Sequence, residues 1–378
     1  MRASCLFSRC LILLVFTAVR GYTSLVQADD AASPPPRNPI KPLPADVIAT
    51  WEKAGAKAGW MQPDKVGNVQ FLLDGEGKSG EVPAFHFSWE AGVLNKLPAP
   101  EEAFGLYLAG TAVTDEGLKE LAGLKQLQSL NLYGTHVTDV GLKELAGLKQ
   151  MQSLVLLLTR VTDEGLKELA GLQQMQTLNL GNTNVTDAGL KNLAGLKQLQ
   201  TLNLGPATQV TDAGLKELSA LKQLQMLGLS FAKVTDAGLK ELAGLTQLRT
   251  LVLGGTWITD AGLKELTGLK QLQALYLFDT RVTDAGLKEL AGLTQLQTLD
   301  LSRTGVTDAG LKELVVLKQL QTLHLMDTQV ADVGLKELAG LKQLQSLNLS
   351  RTQVTDAGVA DLRKALPKCH IVHSRPSP

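Results

Sequence analysis

Residues 115–138, DEGLKELAGLKQLQSLNLYGTHVT, form one copy of a unit that fills most of this 378-residue chain. The aspartate that opens the unit recurs at positions 115, 139, 163, 187, 212, 236, 260, 284, 308, 332 and 356. Nine of the ten intervals between these eleven aspartates are 24 residues long, and the interval from Asp187 to Asp212 is 25. A fixed period of this length predicts a solenoid, because one unit buries its apolar face only against neighbouring units.

Each unit combines a helical segment with a short strand. In the quoted copy, Leu118 and Leu121 have helical spacing, whereas Leu130 and Leu132 alternate with polar residues as in a strand with one buried face. Helices need more room side by side than paired strands do. Stacked units therefore predict an α/β fold, a curved solenoid with a parallel sheet on its concave face and helices on its convex face.

The pattern L-x-x-L-x-L-x-x-T followed by V-T-D-x-G-L resembles the leucine-rich-repeat family between residues 111 and 361. Segments similar to V-T-D-x-G-L occur in its ribonuclease-inhibitor-like and F-box-associated members, and the nearly identical copies are most similar to bacterial tandem-repeat proteins. The resemblance implies a right-handed β-α superhelix that acts by binding.

Two polar positions of the unit are expected to stabilise its turns. Asp115, or alternatively Thr114, is expected to cap the helix of the quoted copy through its side chain. The family usually has Asn or Cys in the turn after the strand, where this chain has Thr in nearly every copy. Because a hydroxyl also bonds turn backbone, we predict a threonine ladder at positions 111, 135, 159, 183, 208, 256, 280, 304, 328 and 352.

The remaining sequence divides into four regions around the array, which spans residues 104–361. Residues 1–28 resemble a cleavable secretory signal, with a basic start, a short apolar core and Val26-Gln27-Ala28 at the end. Residues 29–44 are proline-rich and predict an extended tether without a core. Residues 45–103 are interpreted as a cap with a degenerate repeat around Phe85-His86-Phe87, or alternatively as a small independent domain. Residues 362–378 are interpreted as a C-terminal cap and tail.

Charge and cysteine content argue against several kinds of partner. The chain has 37 basic and 37 acidic residues, and removing the three arginines of the predicted signal leaves 34 against 37. This balance does not favour a nucleic-acid partner, and no membrane span is predicted after signal cleavage. Cys369 would then be the only cysteine, so no disulfide framework is expected.

The sequence does not contain a motif typical of an enzyme. No H-E-x-x-H, G-x-S-x-G or P-loop pattern occurs, so we expect neither catalytic residues nor a cofactor. Cys369, His370 and His373 are the one cluster with ligand-like chemistry, but their spacing does not match a zinc site and no metal site is predicted.

The copies differ most at two strand positions expected to face the concave side. The first candidate surface combines aromatic, charged and sulfur-containing residues, with Asp279, Arg281 and Asp327 beside them: Trp257, Tyr276, Phe278, Asp300, Arg303, His324 and Met326. The second is an apolar strip, expected to be exposed, of Tyr107, Tyr133, Val155 and Leu157. Aromatic residues beside Arg and Asp are typical of interface anchors, and exposed apolar strips indicate partners. Neutral drift is the alternative interpretation.

The sequence therefore predicts an exported leucine-rich-repeat protein, secreted or held in the periplasm or cell envelope. It would bind a protein, or a glycoconjugate, through its concave sheet. One alternative is a structural spacer of the envelope without a specific ligand. Another, suggested by the resemblance alone, is an F-box-like substrate receptor or an enzyme inhibitor.

Overall fold

The computed structural model describes residues 41–374 except for Lys65, Asp74, Glu76, Ser79, Ala207 and Thr208. The predicted signal, residues 1–28, and most of the predicted tether, residues 29–44, lie outside the described residues. Leu43, near the end of the predicted tether, is buried in the core. The tether was expected to have no core contacts, so the interpretation is wrong for this residue, whose apolar side chain packs with the folded region.

One sheet runs through the whole described part of the chain. Its fifteen strands are β1 (Ala56–Pro63), β2 (Val69–Leu72), β3 (Val82–Phe87), β4 (Phe104–Tyr107), β5 (Leu127–Asn131), β6 (Ser153–Val155), β7 (Thr177–Asn179), β8 (Thr201–Asn203), β9 (Met226–Gly228), β10 (Thr250–Val252), β11 (Ala274–Tyr276), β12 (Thr298–Asp300), β13 (Thr322–His324), β14 (Ser346–Asn348) and β15 (His370–Val372). From β3 to β15 each strand pairs in parallel with the next, so that Leu130 lies opposite Leu154. β1 is antiparallel to both β3 and β2, and β2 forms the edge of the sheet.

The helices alternate with the strands and are short. They are α1 (Ala45–Lys53), α2 (Asp115–Leu118), α3 (Asp139–Leu145), α4 (Asp163–Leu169), α5 (Asp187–Leu190), α6 (Asp212–Leu218), α7 (Asp236–Leu242), α8 (Asp260–Leu263), α9 (Asp284–Leu287), α10 (Asp308–Leu311), α11 (Asp332–Leu338) and α12 (Asp356–Ala365). The four-residue helices continue into 3₁₀ turns, at Lys119–Leu121, Lys191–Leu193, Lys264–Leu266, Lys288–Gly292 and Lys312–Val316, and a further turn spans Leu94–Lys96.

The sheet and the helices enclose one continuous apolar core. Leu118 and Leu121 from the helix and Leu130 and Leu132 from the strand region are fully buried, and the equivalent leucines of the other copies are also buried. This core continues through all eleven copies because each copy packs its leucines against those of the next. The predicted curved α/β solenoid, with its sheet on the concave face, is confirmed.

The aspartate of the V-T-D motif links consecutive copies. Thr138 donates its backbone N–H to Asp115 Oδ1 at 2.8 Å and its hydroxyl to Asp115 Oδ2 at 2.6 Å. Thr138 in turn caps α3, because its Oγ1 accepts the N–H of Val140 at 3.3 Å. The expected side-chain cap of the quoted helix is wrong for both candidates, because Thr114 holds the N-cap position without a side-chain bond and Asp115 bonds to the next copy. The same link joins Asp139–Thr162, Asp163–Thr186, Asp187–Thr211, Asp212–Thr235, Asp236–Thr259, Asp260–Thr283, Asp284–Thr307 and Asp332–Thr355.

The glycine of the D-x-G motif is also part of this link. A Cβ atom at Gly238 would overlap Oδ1 of Asp212, the aspartate of the preceding copy. Glycine is therefore required here for close approach between copies rather than for an unusual backbone angle. The spacing of Asp and Gly within one copy thus reflects a contact between two copies.

The predicted threonine ladder is confirmed at every described position. Thr135 donates its hydroxyl to the carbonyl of Leu132 at 2.7 Å, and Thr159 donates to Leu156 at 2.6 Å. The same bond to the residue three positions earlier occurs at Thr111, Thr183, Thr256, Thr280, Thr304, Thr328 and Thr352. Thr208 lies outside the described residues. Each bond closes a turn within its own copy, so the ladder is a row of local contacts.

The N-terminal region shares the sheet and core of the array. Trp51 stacks on Phe85 with ring centroids 4.3 Å apart, and its Nε1 donates to the carbonyl of Pro98 at 3.0 Å. β3 pairs in parallel with β4, with Phe85 opposite Leu106, so Phe85-His86-Phe87 extends the parallel sheet of the array by one strand, and its interpretation as a degenerate copy stays a prediction. These contacts close the N-terminal end of the core, and β15 extends the sheet at the other end, with Ile371 opposite Leu347.

Candidate functional site on the concave face

A β-hairpin from the N-terminal region lies on the concave face of the sheet. It consists of β1, β2 and the turn between them, and residues 56–72 are called the hairpin below. Its tip turn, which contains Asp64 and residues 66–68, is organised by the carboxylate of Asp64. Oδ1 accepts the N–H groups of Val66 and Asn68 at 2.9 and 2.8 Å, and Oδ2 accepts the amide of Asn68 at 3.0 Å. The carboxylate thus fixes the turn that reaches furthest over the sheet.

Three strand asparagines hold the hairpin by its backbone and by one side chain. Asn131 Nδ2 donates to the carbonyl of Val69 at 2.9 Å, and Asn203 Nδ2 donates to the carbonyl of Val66 at 2.9 Å. Asn179 Nδ2 donates to Oδ1 of Asn68, also at 2.9 Å. We call these three residues the asparagine ladder. They occupy the same position in copies one, three and four, so the period of the solenoid spaces them along the hairpin.

The asparagine amides are oriented by their own strands. Oδ1 of Asn131 accepts the N–H of Tyr133 at 2.9 Å, and Oδ1 of Asn203 accepts the N–H of Gly205 at 3.0 Å. Since the carbonyl end of each amide is bonded in this way, the NH₂ end points at the hairpin. Asn348 has the same local bond, to the N–H of Ser350 at 3.0 Å.

The second predicted surface lies beneath the hairpin. Tyr107, Tyr133, Val155 and Leu157 pack in one cluster with Met61, Val69, Ala84 and Phe71. Val155 is 1% exposed, and Phe71 contacts Tyr107 with ring centroids 5.9 Å apart. The expectation that this strip is exposed is therefore wrong, because the hairpin buries Val155 and leaves Tyr107, Tyr133 and Leu157 only partly accessible. Its role in partner binding stays a prediction.

The tip turn reaches the first predicted surface. Val66 is buried against Met226, Val252 and Tyr276, with Phe278 packed beside them. Phe278 also meets Phe231 edge-on, with ring centroids 6.0 Å apart. The hairpin therefore contacts concave positions from the first copies to the copy that contains β11.

The residues of the first predicted surface differ widely in exposure. Trp257 lies in the segment between β10 and α8, where its backbone bridges to Thr235, and it is 54% exposed rather than part of the strand face. Nδ1 of His324 lies 3.6 Å from Oδ2 of Asp300. The seven residues range from buried (Tyr276, Asp300 and His324) through half-buried (Phe278 and Met326) to exposed (Arg303 and Trp257).

Charged side chains form a row along the edge of the concave face. Asp279, Arg303, Asp327 and Arg351 occupy the same position in four consecutive copies, each with φ between 55° and 61°. Asp327 Oδ2 lies 3.6 Å from Nε of Arg303 and 3.3 Å from a guanidinium nitrogen of Arg351. We call these four residues the charged row. Both arginine side chains are about half exposed, so the row is accessible to a partner.

Burial shifts the pKa of several groups near the hairpin. It raises the pKa of the Asp64 carboxyl above its ordinary value of 3.8, although the bonds from Asn68, Val66 and Gly67 act in the opposite direction. Burial also raises the pKa of Tyr107, with a smaller contribution from Tyr133. It lowers the pKa of His86, and the charge of Lys57 acts in the same direction. The hairpin thus places titratable groups in an environment that favours their neutral forms.

The C-terminal cluster has a structural arrangement. His373 lies 3.0 Å from the carbonyl of Val354 through Nε2 and 3.4 Å from Asp356 Oδ1 through Nδ1. Cys369 is buried, and its burial raises the pKa of the thiol to about 11. In the described part of the chain no group of three or more His, Cys, Asp or Glu residues could hold a metal ion. Among the same residues, no helix is long and apolar enough to cross a membrane.

Sequence reasoning missed the hairpin and the residues that hold it. The asparagines at 131, 179 and 203 were visible as variation at one strand position, but nothing local indicated what they would bind. Val66 and Asn68 lie in a region without repeat pattern. The recurrence of Asn at a concave position was the one available signal, since a buried amide needs hydrogen-bond partners.

Comparisons with known proteins agree with this geometry. The family model described as leucine-rich repeat matches residues 125–146, 172–194, 244–266, 292–315, 318–339 and 342–362. An internalin from Listeria monocytogenes is 25% identical, with a TM-score of 0.52 over 76% of this chain and 93% of its own. The crystal structure of a TDR receptor shares the fold, with 16% identity and a TM-score of 0.52 over 77% of this chain and 48% of its own. A search of the curated proteins found no match.

The finer resemblance to ribonuclease-inhibitor-like repeats stays a prediction. The matched repeats, the curved solenoid and the structural similarity to an internalin lead to one conclusion. This chain contains leucine-rich repeats and folds as a leucine-rich-repeat solenoid.

Proposed function

We propose that the protein is an exported binding protein that holds a protein partner on the part of its concave side beyond the hairpin. One observation carries the proposal: the charged row runs beside the half-buried side chains of Phe278 and Met326. Arginine, aromatic residues and methionine are enriched in protein interfaces, and a preformed rigid face loses little conformational entropy on binding. The protein acts in this proposal by recognition and needs no cofactor.

The leucine-rich repeats and the likeness to an internalin support a protein-binding role, and the signal-like sequence of residues 1–28 supports export. A mature chain that begins at Asp29, found in the medium, periplasm or envelope fraction by N-terminal sequencing, would be the expected result. A chain that keeps residues 1–28 and stays in the cytoplasm would exclude export and favour the F-box-like alternative.

The binding test compares charge reversals on two sides of the sheet: the side where the strands end and the side where they begin. The mature chain is used as bait in envelope and medium fractions. A protein that it captures is then purified, and its affinity for the chain is measured by titration. Replacement of Arg303 and Arg351 by Glu should weaken its binding at least about tenfold, since a hydrogen bond to a charged group contributes roughly 1.5–3 kcal/mol. Arg249→Glu is the control, because Arg249 is exposed but precedes β10, at the opposite end of the strands.

If the partner binds the variant with Arg303 and Arg351 replaced by Glu as tightly as it binds Arg249→Glu, the charged row is not part of the binding site. Trp257→Ala and Tyr276→Ala test the remaining candidates: a loss of binding for Trp257→Ala alone would move the site to the segments that follow the strands. The absence of any partner-specific effect among all these variants would favour the envelope spacer. A glycoconjugate partner would be recognised by retention of binding after the captured material is treated with protease.

A further inference from the structure

We propose that the concave face under the hairpin is a receptor for an extended segment of another protein, and that the hairpin occupies this receptor until such a segment replaces it. The inference goes beyond the proposed function, because it concerns the part of the concave side that the hairpin covers and not the charged row. The partner segment is a β-hairpin or strand that presents backbone carbonyls at the spacing of the copies. It carries a small β-branched apolar side chain where the hairpin carries Val66.

Two of the three residues of the asparagine ladder recognise backbone, whereas Asn179 bonds to the side chain of Asn68. Asn131 and Asn203 donate to the carbonyls of Val69 and Val66, and every amino acid offers such a carbonyl. Because the amide oxygens of both asparagines are bonded to their own strands, the donors are already oriented before any segment binds. A foreign strand with the same course would therefore find the same donors.

The apolar pocket around the Val66 side chain, called its seat below, determines which residue a partner segment can place there. Met226, Val252 and Tyr276 surround this side chain, which is buried although it lies on a turn. A charged or long polar residue at this place would lose its hydration without a partner. The next residue, Gly67, has φ of 82° and lies close to the side chain of Thr201, so the turn also requires a glycine in this conformation.

The tip and β2 of the hairpin lie outside the core that holds the solenoid together, whereas Ala56 at the start of β1 belongs to that core and β1 is paired with β3 from Ala56 to Met61. The apolar residues Met61, Val66 and Val69 of the hairpin belong to two small clusters, whereas the leucines of the array form their own continuous core. The opposite side of the hairpin carries exposed Gln62 and Gln70. Departure of the tip therefore exposes the concave face without opening the contacts between copies.

A partner segment replaces the hairpin only if its contacts with the concave face are stronger than those that the hairpin makes. Loss of one hydrogen bond changes an opening equilibrium about fivefold, and exposure of a buried valine changes it roughly tenfold to a hundredfold. These effects keep the hairpin on the face in the free protein. A partner that binds the uncovered face more tightly than the hairpin does will shift the population towards the uncovered state.

The test uses the full chain and a labelled peptide with the sequence of residues 59–72, flanked by one added cysteine at each end and cyclised by oxidation of these two thiols to a disulfide. In the chain, Val66→Asp places a carboxylate in the apolar seat and should release the tip, whereas Gln70→Asp adds the same charge on the exposed side of the hairpin. The peptide should bind the Val66→Asp chain at least about tenfold more tightly than it binds the Gln70→Asp chain or the unchanged chain. A peptide that itself carries Val66→Asp should not bind.

A second pair of variants tests the receptor side. Asn203→Ala removes the bond to Val66, while Asn348→Ala removes an asparagine with the same local bond at a copy outside the described hairpin contacts. Asn203→Ala should accelerate hydrogen exchange of Val69–Leu72 about fivefold, and Asn348→Ala should leave it unchanged. Equal effects of the two variants would overturn the proposal.

Two other outcomes also overturn the inference. If the folded Val66→Asp chain does not bind the peptide, the concave face is not a receptor. If sedimentation experiments show that the Val66→Asp chain forms dimers by exchanging hairpins, the concave face binds a second copy of the chain and not a different protein. The charge reversals at Arg303 and Arg351 should leave peptide binding unchanged, so a failure here is distinguishable from a failure of the proposed function.

Discussion

The links between copies predict that one substitution will stabilise the protein. Ala331 occupies the position where the other copies described in full have the capping threonine. Asp308 still accepts the backbone N–H of Ala331 at 2.7 Å, but alanine has no hydroxyl to bond its other oxygen or to cap α11. We therefore expect Ala331→Thr to complete the link. The neighbouring copy shows the target geometry, since Thr307 donates to Asp284 at 2.7 Å and accepts the N–H of Ala309 at 3.2 Å.

The expected gain is about 1–2 kcal/mol. A threonine cap contributes about 1 kcal/mol relative to alanine. The hydroxyl bond to a carboxylate contributes roughly 1.5–3 kcal/mol when buried, and less here because the site is partly exposed. The new side chain also loses rotamer freedom, which offsets part of this gain.

Hydrogen exchange is the appropriate assay, because a long repeat array does not unfold in one step. The amide of Val333 is the one that the new hydroxyl would cap, by analogy with Ala309 in the copy before it. Its exchange should slow at least about fivefold in Ala331→Thr, since about 1 kcal/mol corresponds to that factor. Thr307→Ala is the matched control and should accelerate exchange at Ala309 by a similar factor. Unchanged exchange in both variants would refute the role assigned to the link.

Three further predictions concern the glycine contact, the tip turn and the cysteine. Gly238→Ala should lower the local stability of α7 by about 1–3 kcal/mol, seen as faster hydrogen exchange of its amides, because its Cβ overlaps Asp212; unchanged exchange contradicts the contact. The raised pKa of Asp64 means that docking of the hairpin is strongest below pH 3.8 and weakens as pH rises through the raised value. Protection of the Val69–Leu72 amides from hydrogen exchange, corrected for the intrinsic exchange rate, should therefore fall as pH rises. In Asp64→Asn this pH dependence should be lost. Cys369, with a pKa of about 11, should react with thiol reagents at neutral pH only after unfolding; rapid reaction of the folded chain would contradict its burial.

The fold could be predicted from the sequence because its determinants recur. Leu118 and Leu130 are buried by equivalent residues of the next copy, so a pattern in one copy specifies the environment of all of them. The threonine ladder was predictable for the same reason, since Thr135 bonds a carbonyl only three residues away. Asp115 was assigned to its own helix because its partner, Thr138, lies 23 residues further on and the link is visible only after stacking.

The candidate site could be predicted only in part. Arg303 and Asp327 were singled out by their residue type, but their alignment in a row depends on the left-handed turn conformation that both share. Val155 was expected to be exposed because it is an apolar residue on a concave strand. Its environment is set by the hairpin, which lies outside the repeat pattern.

The sequence by itself determined the solenoid, the course of its sheet and core, and the positions at which the copies are free to differ. Periodic leucines encode these features because each contact is between neighbours one period apart. Only the tertiary structure decided what those variable positions do. Asn203 and Val66 are separated by 137 residues in the chain, and their contact arises because the curvature of the array and the hairpin at its end bring them together. No local pattern records a contact of that kind.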